Sequence, residues 1–234
     1  MFTGGFPALS RACGRKGKSG RNHATAPSLV RTVIHMTIPI ILASGSRIRA
    51  SLLTNAGVRF SVQIPRIDED AVKRALLGEN APPRDIADAL AAIKARKVSA
   101  TSPDALVIGC DQVLEFRGRL LSKPDSPQQA LDQLRQMRGG RHRLLSAAVI
   151  CQGGEALWRH VGQVRLTMRM VSDEYLEGYV ARNWDSIRHA VGSYKLEEEG
   201  VRLFAAIDGD HFNVLGMPLM ECLGYLTLRG AIEG

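Results

Sequence analysis

Residues 38–57, IPIILASGSRIRASLLTNAG, contain the pattern that decides the fold. The apolar run from Ile38 to Ala43 is suited to a buried β-strand. A short Ser/Gly turn follows this run, and Ser46 is placed to cap a helix that ends near Gly57. A strand that leads through a tight turn directly into a helix predicts an α/β domain.

Strand and helix patterns alternate through the rest of the chain in the same way. Strands are predicted at 58–64, 105–110, 143–151, 157–170 and 203–207, and helices at 83–99, 126–137, 173–182 and 217–228. This mixed alternation predicts an α/β domain with a substantial sheet. In such sheets ligands bind where strands end and loops begin, so polar residues at those places are candidates for function.

The positive charge of the chain is concentrated at its N-terminus. Of the formal net charge of +8 over 234 residues, +6 lies in residues 1–35, which leaves only +2 for the rest. A nearly neutral domain lacks the electrostatic footprint of a nucleic-acid-binding protein, so no nucleic-acid partner is expected.

Two segments are predicted from this charge distribution. The first, 1–36, is a disordered basic extension or lies upstream of a true start at Met36, and the second, 37–234, is the folded domain. An organelle transit peptide and a nucleic-acid-binding arm are the alternatives for the first segment, because it is rich in arginine and contains no acid.

Composition indicates a cytoplasmic protein. Hydrophobic residues make up 45% of the chain, which suffices for a packed core. The four cysteines, Cys13, Cys110, Cys151 and Cys222, are scattered, which argues against a disulfide scaffold or a zinc site and favours a reducing compartment. No apolar run approaches the roughly 20 residues that span a bilayer, so no membrane partner is expected.

Two stretches suggest a site for phosphate and metal. In the first, Ser44 and Arg49 flank the turn after the first strand, where hydroxyls, backbone N–H groups and a guanidinium form a natural phosphate cradle. In the second, Glu69 lies in an acidic loop and Asp111 directly follows an apolar strand, so the two carboxylates are candidates to hold a hard divalent cation and activate water. The alternatives are a solvated helix start, a solvated turn, and a helix cap or structural ion pair at Asp111.

Two lysines complete the set of candidate residues. Lys94 lies on the helix 83–99, and Lys123 follows a predicted hairpin in the sequence Ser-Lys-Pro. Lysines that point inward supply point charges for phosphates, although a lysine on an amphipathic helix is more often simply exposed. None of these signals decides the function by itself.

Taken in order and spacing, these stretches resemble the Maf family of nucleotide pyrophosphatases. The matching segments are LASGSRIRASLL at 42–53, DE at 68–69, LAAIKA at 90–95, GCDQV at 109–113, SKP at 122–124, GGRH at 139–142, VGSY at 191–194 and NVLGMP at 213–218. The resemblance covers residues 38–228. It departs from the family pattern at Arg47, Ile48 and Ser122, where proline, arginine and glycine are usual.

The resemblance implies a Maf / inosine-triphosphatase-like fold, with a mixed central sheet flanked by helices and often dimeric. It implies a nucleoside triphosphate pyrophosphatase that cleaves non-standard nucleotides to a monophosphate and pyrophosphate. Asp111 would be the catalytic general base, and Glu69 would join it around a divalent metal, Mg or Mn. The residues that would bind the triphosphate are Ser44, Arg49, Lys94 and Lys123.

In the family that the chain resembles, pyrimidine-preferring members typically have Thr and Gln at the positions of Gln112 and Glu197, so base preference is expected to depend on these two residues. A carboxylate only accepts hydrogen bonds, which suits the N1–H and amino group of guanine, and its charge suits a methylated, cationic base. Together with Gln112, Glu197 therefore favours the branch that resembles N7-methyl-GTP pyrophosphatases. One alternative for Glu197 is that the three glutamates at 197–199 form a solvated acidic turn, or that a neighbouring glutamate takes this place. The alternatives for the function are a dTTP/UTP pyrophosphatase and a nucleotide-binding regulator of cell division.

Overall fold

A seven-stranded mixed sheet forms the centre of the computed structural model, which describes residues 38–234. Its strands are β1 (Ile40–Ala43), β2 (Ser61–Val62), β3 (Leu106–Phe116), β4 (Arg119–Leu121), β5 (Arg141–Gln152), β6 (Glu155–Met168) and β7 (Phe204–Asp208). The helices are α1 (Arg47–Asn55), α2 (Glu69–Gly78), α3 (Pro83–Ser99), α4 (Pro127–Met137), α5 (Asp173–Ile187), α6 (His211–Val214) and α7 (Leu219–Leu228). The predicted N-terminal segment 1–36 lies outside the described residues, so the domain boundary stays a prediction.

The strand order is β2-β1-β3-β5-β6-β7, with β4 paired to β3. Strand β1 is parallel to β2 and β3, whereas all other pairs are antiparallel. The prediction of a mixed sheet flanked by helices is therefore confirmed. Within residues 38–234, no helix combines the length and the apolar composition that crossing a membrane would require.

Helices cover both faces of the sheet, which explains why β1 and the first half of β3, residues 106–110, are apolar without interruption. Ile41 and Ala43 of β1 pack with α3, whereas Ile40 and Leu42 pack with α1 and α7. The remaining core lies between the sheet and α4 and α5. Because side chains alternate along a strand, every second residue of β3 also faces α3.

Strand β3 is longer than predicted. It runs through Asp111 to Phe116, so the prediction that the strand ends at Cys110 is wrong. Asp111 lies opposite Ala147 of β5 in a nine-residue antiparallel ladder. A carboxylate is tolerated inside this strand because it has a cationic partner in Lys94.

The acidic segment 67–70 is the start of a helix, not only a loop. Asp68 caps α2 by accepting a hydrogen bond from the backbone N–H of Ala71 at 2.9 Å, and Glu69 is the first helical residue. Acidic side chains in a first turn are favoured by the helix dipole. At α1, in contrast, Ser46 occupies the N-cap position but its side chain makes no capping hydrogen bond.

A buried histidine links β5 to the segment that follows α5. His142 is 1% exposed, and its Nε2 lies 2.7 Å from the hydroxyl of Tyr194. Its ring also contacts the ring of Phe204, and its Nδ1 has no partner among the described residues. Burial lowers the pKa of His142 to about 4, so the imidazole is neutral in the folded protein at pH 7.

We expect His142 to make the protein less stable in acid. As the pH falls from 6.5 towards 4, the unfolded chain takes up a proton at this residue that the folded chain does not. Above pH 6.5 the free energy of unfolding is unaffected by His142. Between pH 6.5 and 4 the protein loses roughly 3 kcal/mol of this free energy. His142→Gln, which retains a partner for Tyr194, should flatten the pH dependence of the free energy of unfolding in urea between pH 6.5 and 4.5. His189→Gln, at an exposed histidine, is the control; equal slopes for wild type and His142→Gln would contradict the expectation.

Candidate active site

A cleft of about 1030 Å³ opens beside the C-terminal end of β1. Its lining includes all eight residues that the sequence singled out: Ser44, Arg49, Glu69, Lys94, Asp111, Gln112, Lys123 and Glu197. They come from six different parts of the chain, so the fold brings together residues that are far apart in sequence. A cleft of this volume is large enough for a nucleotide.

At the bottom of the cleft, one ammonium group bridges two carboxylates. Lys94 Nζ lies 2.6 Å from Asp111 Oδ1 and 2.9 Å from Glu69 Oε2. Lys94 and Asp111 are 6% and 7% exposed, whereas the side chain of Glu69 is 45% exposed. Burial of a lysine requires such partners, so Lys94 is not the exposed helical lysine of the alternative interpretation.

Helix α3 packs directly against the backbone of β3 at Gly109, and this close contact places Lys94 beside Asp111. Gly109 and Asp111 are two residues apart on β3 and therefore face α3 together. A Cβ at Gly109 would overlap the carbonyl oxygen of Ala91 and lie 2.7 Å from the backbone nitrogen of Ala95. Because α3 touches β3 at this glycine, Lys94 is held within reach of Asp111.

The guanidinium of Arg49 is fixed by three parts of the protein. Its Nε donates to Gly216 O at 2.8 Å, and its Nη1 donates to Cys110 O at 3.0 Å and to Ser44 Oγ at 3.2 Å. Its Nη2 has no acceptor within residues 38–234. Arg49 therefore has one donor group, Nη2 on the side of Gly216, left for an anion in the cleft.

Of the three consecutive glutamates at 197–199, Glu197 is the one that lines the cleft without a partner among the described residues. Glu198 Oε1 accepts hydrogen bonds from Ser186 Oγ at 2.8 Å and Lys195 Nζ at 3.2 Å. Glu199 accepts from Arg182 at 2.7 Å, and this hydrogen bond lowers the pKa of Glu199 to about 2. The two tethered glutamates leave Glu197 as the available acceptor.

Lys123 and Cys110 differ in exposure, because Lys123 is exposed and Cys110 is buried. Lys123 is exposed at the rim of the cleft, where its ammonium is free to meet a bound anion. Cys110 precedes Asp111 but faces α1 and α7, and burial raises the pKa of its thiol to about 11. A neutral buried thiol has a packing role and is not a nucleophile.

One wall of the cleft was not predicted from the sequence. The last turn of α5 and the segment after it contribute Asp185, Ser186, His189 and Lys195. These residues belong to no motif, and the spacing of four between Asp185 and His189 was no usable signal, because His189 lies beyond the end of α5 at Ile187.

The carboxylates of Glu69 and Asp111 fit a divalent cation whose remaining ligands would be phosphate oxygens of a substrate and water. Glu69 and Asp111 converge on one point and offer only oxygen ligands, which Mg²⁺ and Mn²⁺ prefer. The described part of the chain has no group of three or more His, Cys, Asp or Glu that could hold a metal ion. Mg²⁺ commonly binds through one or two carboxylates together with phosphate oxygens and water, so two ligands are sufficient.

Comparison with known proteins agrees with this geometry. The family model described as Maf-like protein matches residues 39–228. A nucleoside triphosphate pyrophosphatase of Ruegeria pomeroyi is 71% identical over 198 residues, which cover 85% of this chain and 100% of the relative. A protein of the same name from Caulobacter vibrioides is 47% identical over 83% of this chain and 97% of the relative.

A more distant relative carries a more specific name. A 7-methyl-GTP pyrophosphatase of Brucella abortus is 41% identical over 199 residues, which cover 85% of this chain and 100% of the relative. The family match spans nearly the whole described domain, and the identities are far above 30%. The chain therefore belongs to the Maf-like protein family.

Proposed function

We propose that this protein is a nucleoside triphosphate pyrophosphatase, which hydrolyses a nucleoside triphosphate to its monophosphate and pyrophosphate. The observation that carries the proposal is the Asp111–Lys94–Glu69 centre, which shares one cleft with Arg49 and Lys123. A carboxylate base beside several cations is what attack on a phosphoanhydride requires. The names of the relatives at 71% and 47% identity support the same activity.

In the proposed reaction, Asp111 accepts a proton from the water that attacks the α-phosphorus. A new P–O bond forms from the water oxygen, and the bond between the α-phosphorus and the α–β bridging oxygen breaks. The electron pair leaves with pyrophosphate. A base in contact with the attacking water contributes typically 10²–10⁴-fold to such a rate.

The cationic side chains of the cleft stabilise the negative charge that develops on the leaving pyrophosphate. Arg49 Nη2 and Lys123 are assigned to the non-bridging oxygens of the triphosphate, and Ser44 Oγ to a neighbouring oxygen. Lys94 compensates the charge of Asp111 and Glu69, which would otherwise repel the anionic substrate. Because the guanidinium of Arg49 is already held in place by the protein, it needs no reorganisation during the reaction, which is the source of its effect.

Glu69 and Asp111 are the residues that would hold Mg²⁺ or Mn²⁺ together with the phosphates. When bound, such an ion neutralises phosphate charge and increases the acidity of the attacking water. The convergence of both carboxylates on one cationic group supports this assignment.

Pyrophosphate release from a nucleotide panel tests the proposed activity. Canonical and methylated nucleoside triphosphates are incubated with the full chain and either Mg²⁺ or Mn²⁺, and the products are separated by ion-exchange chromatography. The expected products are a nucleoside monophosphate and pyrophosphate in equal amounts. Release of orthophosphate alone, or no hydrolysis of any nucleotide, would contradict the proposal.

We further propose a preference for N7-methyl-GTP, with Glu197 as the group that contacts the base. Within residues 38–234, Glu197 is the one glutamate of the 197–199 segment that has no partner, and a relative at 41% identity is named 7-methyl-GTP pyrophosphatase. A carboxylate pairs with the N1–H and amino group of a guanine and attracts its cationic methylated form.

Glu197→Gln should change the ratio of kcat/KM for N7-methyl-GTP to that for UTP by about tenfold in favour of UTP, because one charged hydrogen bond is lost. The ratio is measured by pyrophosphate release with both nucleotides. Glu79→Gln, at an exposed glutamate outside the cleft, is the matched control. An unchanged ratio in Glu197→Gln would exclude Glu197 from base recognition, and a wild-type preference for UTP or dTTP would refute the N7-methyl-GTP assignment.

We place the enzyme in the cytoplasm, where it would remove non-standard nucleotides without a nucleic-acid or membrane partner. Three of its cysteines, Cys110, Cys151 and Cys222, are buried free thiols, which suits a reducing compartment.

A further inference from the structure

We propose that Arg182, which lies outside the cleft, is a positioning residue that directs Glu197 towards the base of the nucleotide by binding Glu199. The inference rests on the proposed function, with Glu197 as the base contact, and deepens it. It gives a role to Glu198 and Glu199, which belong to none of the segments that match the family pattern.

Residues 195–200 form a closed loop directly after the buried Tyr194. The backbone N–H of Glu198 donates to Lys195 O, and Gly200 packs on the backbone of Lys195. A Cβ at Gly200 would overlap the carbonyl oxygen of Lys195 and lie 2.8 Å from its nitrogen. The two ends of the loop are therefore in contact, and the loop cannot extend without losing this contact.

The side chains on both sides of Glu197 are anchored. Leu196, which precedes it, is buried in the core between the sheet and α4 and α5. Glu198, which follows it, accepts hydrogen bonds from Ser186 Oγ at 2.8 Å and from Lys195 Nζ at 3.2 Å. Glu197 lies between these two anchors and has no partner within residues 38–234, so its carboxylate is presented to the cleft.

The anchor of the loop with the most hydrogen bonds is the carboxylate of Glu199. Its Oε1 accepts from Arg182 Nη2 at 2.7 Å, and its Oε2 accepts from Asn183 Nδ2 at 2.8 Å and from Arg182 Nε at 3.4 Å. A guanidinium that binds a carboxylate through two nitrogens fixes its orientation as well as its position. Arg182 and Asn183 belong to α5, which packs on the core through Leu176 and Val180. The loop is therefore attached to a rigid element.

The location of Arg182 separates positioning from direct contact. Arg182 and Glu199 do not line the cleft that residues 38–234 form, so a change at Arg182 reaches a nucleotide only through the loop. Ser186 and Lys195 do line the cleft, and a change at either would mix the two effects. Pyrophosphate has no base, so its binding reports on the phosphate end of the cleft alone.

The test compares wild type with Arg182→Met, Arg182→Lys, Glu197→Gln and the double variant of Arg182→Met with Glu197→Gln. Methionine has no N–H donor, whereas lysine retains the charge and part of the hydrogen bonding. Arg165→Met, at a surface arginine that pairs with Asp208 at 3.5 Å, is the matched control. The values of kcat/KM are measured for N7-methyl-GTP, GTP and UTP, and pyrophosphate affinity is measured by calorimetry with Mg²⁺.

We expect Arg182→Met to lower the ratio of kcat/KM for N7-methyl-GTP to that for UTP about fivefold, because Glu197 is no longer directed towards the guanine. Pyrophosphate affinity should match wild type. Arg182→Lys should keep the ratio within about twofold of wild type. In the Glu197→Gln background, Arg182→Met should change the ratio less than about twofold, because a residue that acts through Glu197 has little further effect once Glu197 is changed. Arg165→Met should match wild type.

Three results would overturn the inference. If Arg182→Met leaves the ratio unchanged while Glu197→Gln changes it, Arg182 does not position Glu197, and the base assignment stands. If Arg182→Met changes the ratio equally in the Glu197→Gln background, Arg182 does not act through Glu197. If Arg182→Met weakens pyrophosphate and all three nucleotides together, its effect is on the whole cleft and not on the base.

Failure of the underlying proposals is distinguishable from these results. Without the proposed function, wild type would release no pyrophosphate from any nucleotide. Without the base assignment, Glu197→Gln would itself leave the ratio unchanged. The positioning role of Arg182 would fall with either proposal.

Discussion

Asp111→Asn is expected to reduce kcat for pyrophosphate release by about 1000-fold, in the range found when a general base is removed. Asparagine keeps the volume of aspartate and an oxygen for Lys94, but it does not accept the proton of the attacking water. It also removes one of the two carboxylates assigned to the metal. The measurement is kcat at saturating nucleotide and Mg²⁺ for wild type and variant.

The controls for Asp111→Asn separate chemistry from folding. Asp208→Asn, at an exposed aspartate on β7, should leave kcat unchanged. Pyrophosphate affinity of Asp111→Asn, measured without a divalent metal, should be retained, because Arg49 and Lys123 are untouched. If Asp111→Asn keeps kcat within tenfold of wild type, Asp111 is not the base and the proposed mechanism is wrong.

Gly109→Ala is expected to lower the free energy of unfolding by about 3 kcal/mol and kcat/KM by about 100-fold. The new methyl group would overlap Ala91 O and lie 2.7 Å from Ala95 N and 2.9 Å from Ala95 Cβ. Backbone atoms of a packed helix do not yield as a flexible side chain does, so α3 must move away from β3. Lys94 lies between Ala91 and Ala95 and would lose its contact with Asp111.

Urea unfolding and steady-state kinetics measure the two effects of Gly109→Ala in the same preparation. Gly78→Ala, at the end of α2, is the control, because a Cβ there meets nothing within 4 Å. That variant should be as stable as wild type or slightly more stable. A Gly109→Ala protein with wild-type stability and activity would show that the α3–β3 contact does not position Lys94.

Local patterns were sufficient to predict most of the architecture. The run IPIILAS followed by SRIRASLL predicted β1, the turn and α1, because a doubly covered strand is apolar throughout and a helix start is polar. The same logic failed at Asp111, where an acid inside a strand was interpreted as the strand end. Its partner Lys94 lies 17 residues away, and that distance hides the compensation that allows β3 to continue.

The contacts that organise the cleft are long-range, and local sequence does not specify them. Arg49 donates a hydrogen bond to Gly216, 167 residues further along the chain, and Gln112 donates one to Asn213, 101 residues further along. Motif order placed these residues in one family pattern, but it did not indicate that the amide nitrogen of Gln112 donates to Asn213 O and Val214 O. The wall of the cleft formed by the end of α5 and the segment after it was not predicted, since Asp185 and His189 look like ordinary solvated surface residues in the sequence.

Hydrolysis in water enriched in oxygen-18 measures the reaction at the atom on which the account depends. If Asp111 directs water to the α-phosphorus of a triphosphate bound in this cleft, mass spectrometry will find one labelled oxygen in the nucleoside monophosphate and none in the pyrophosphate. Label in pyrophosphate, or in released orthophosphate, would place the attack at another phosphorus and contradict the assignment of the cleft.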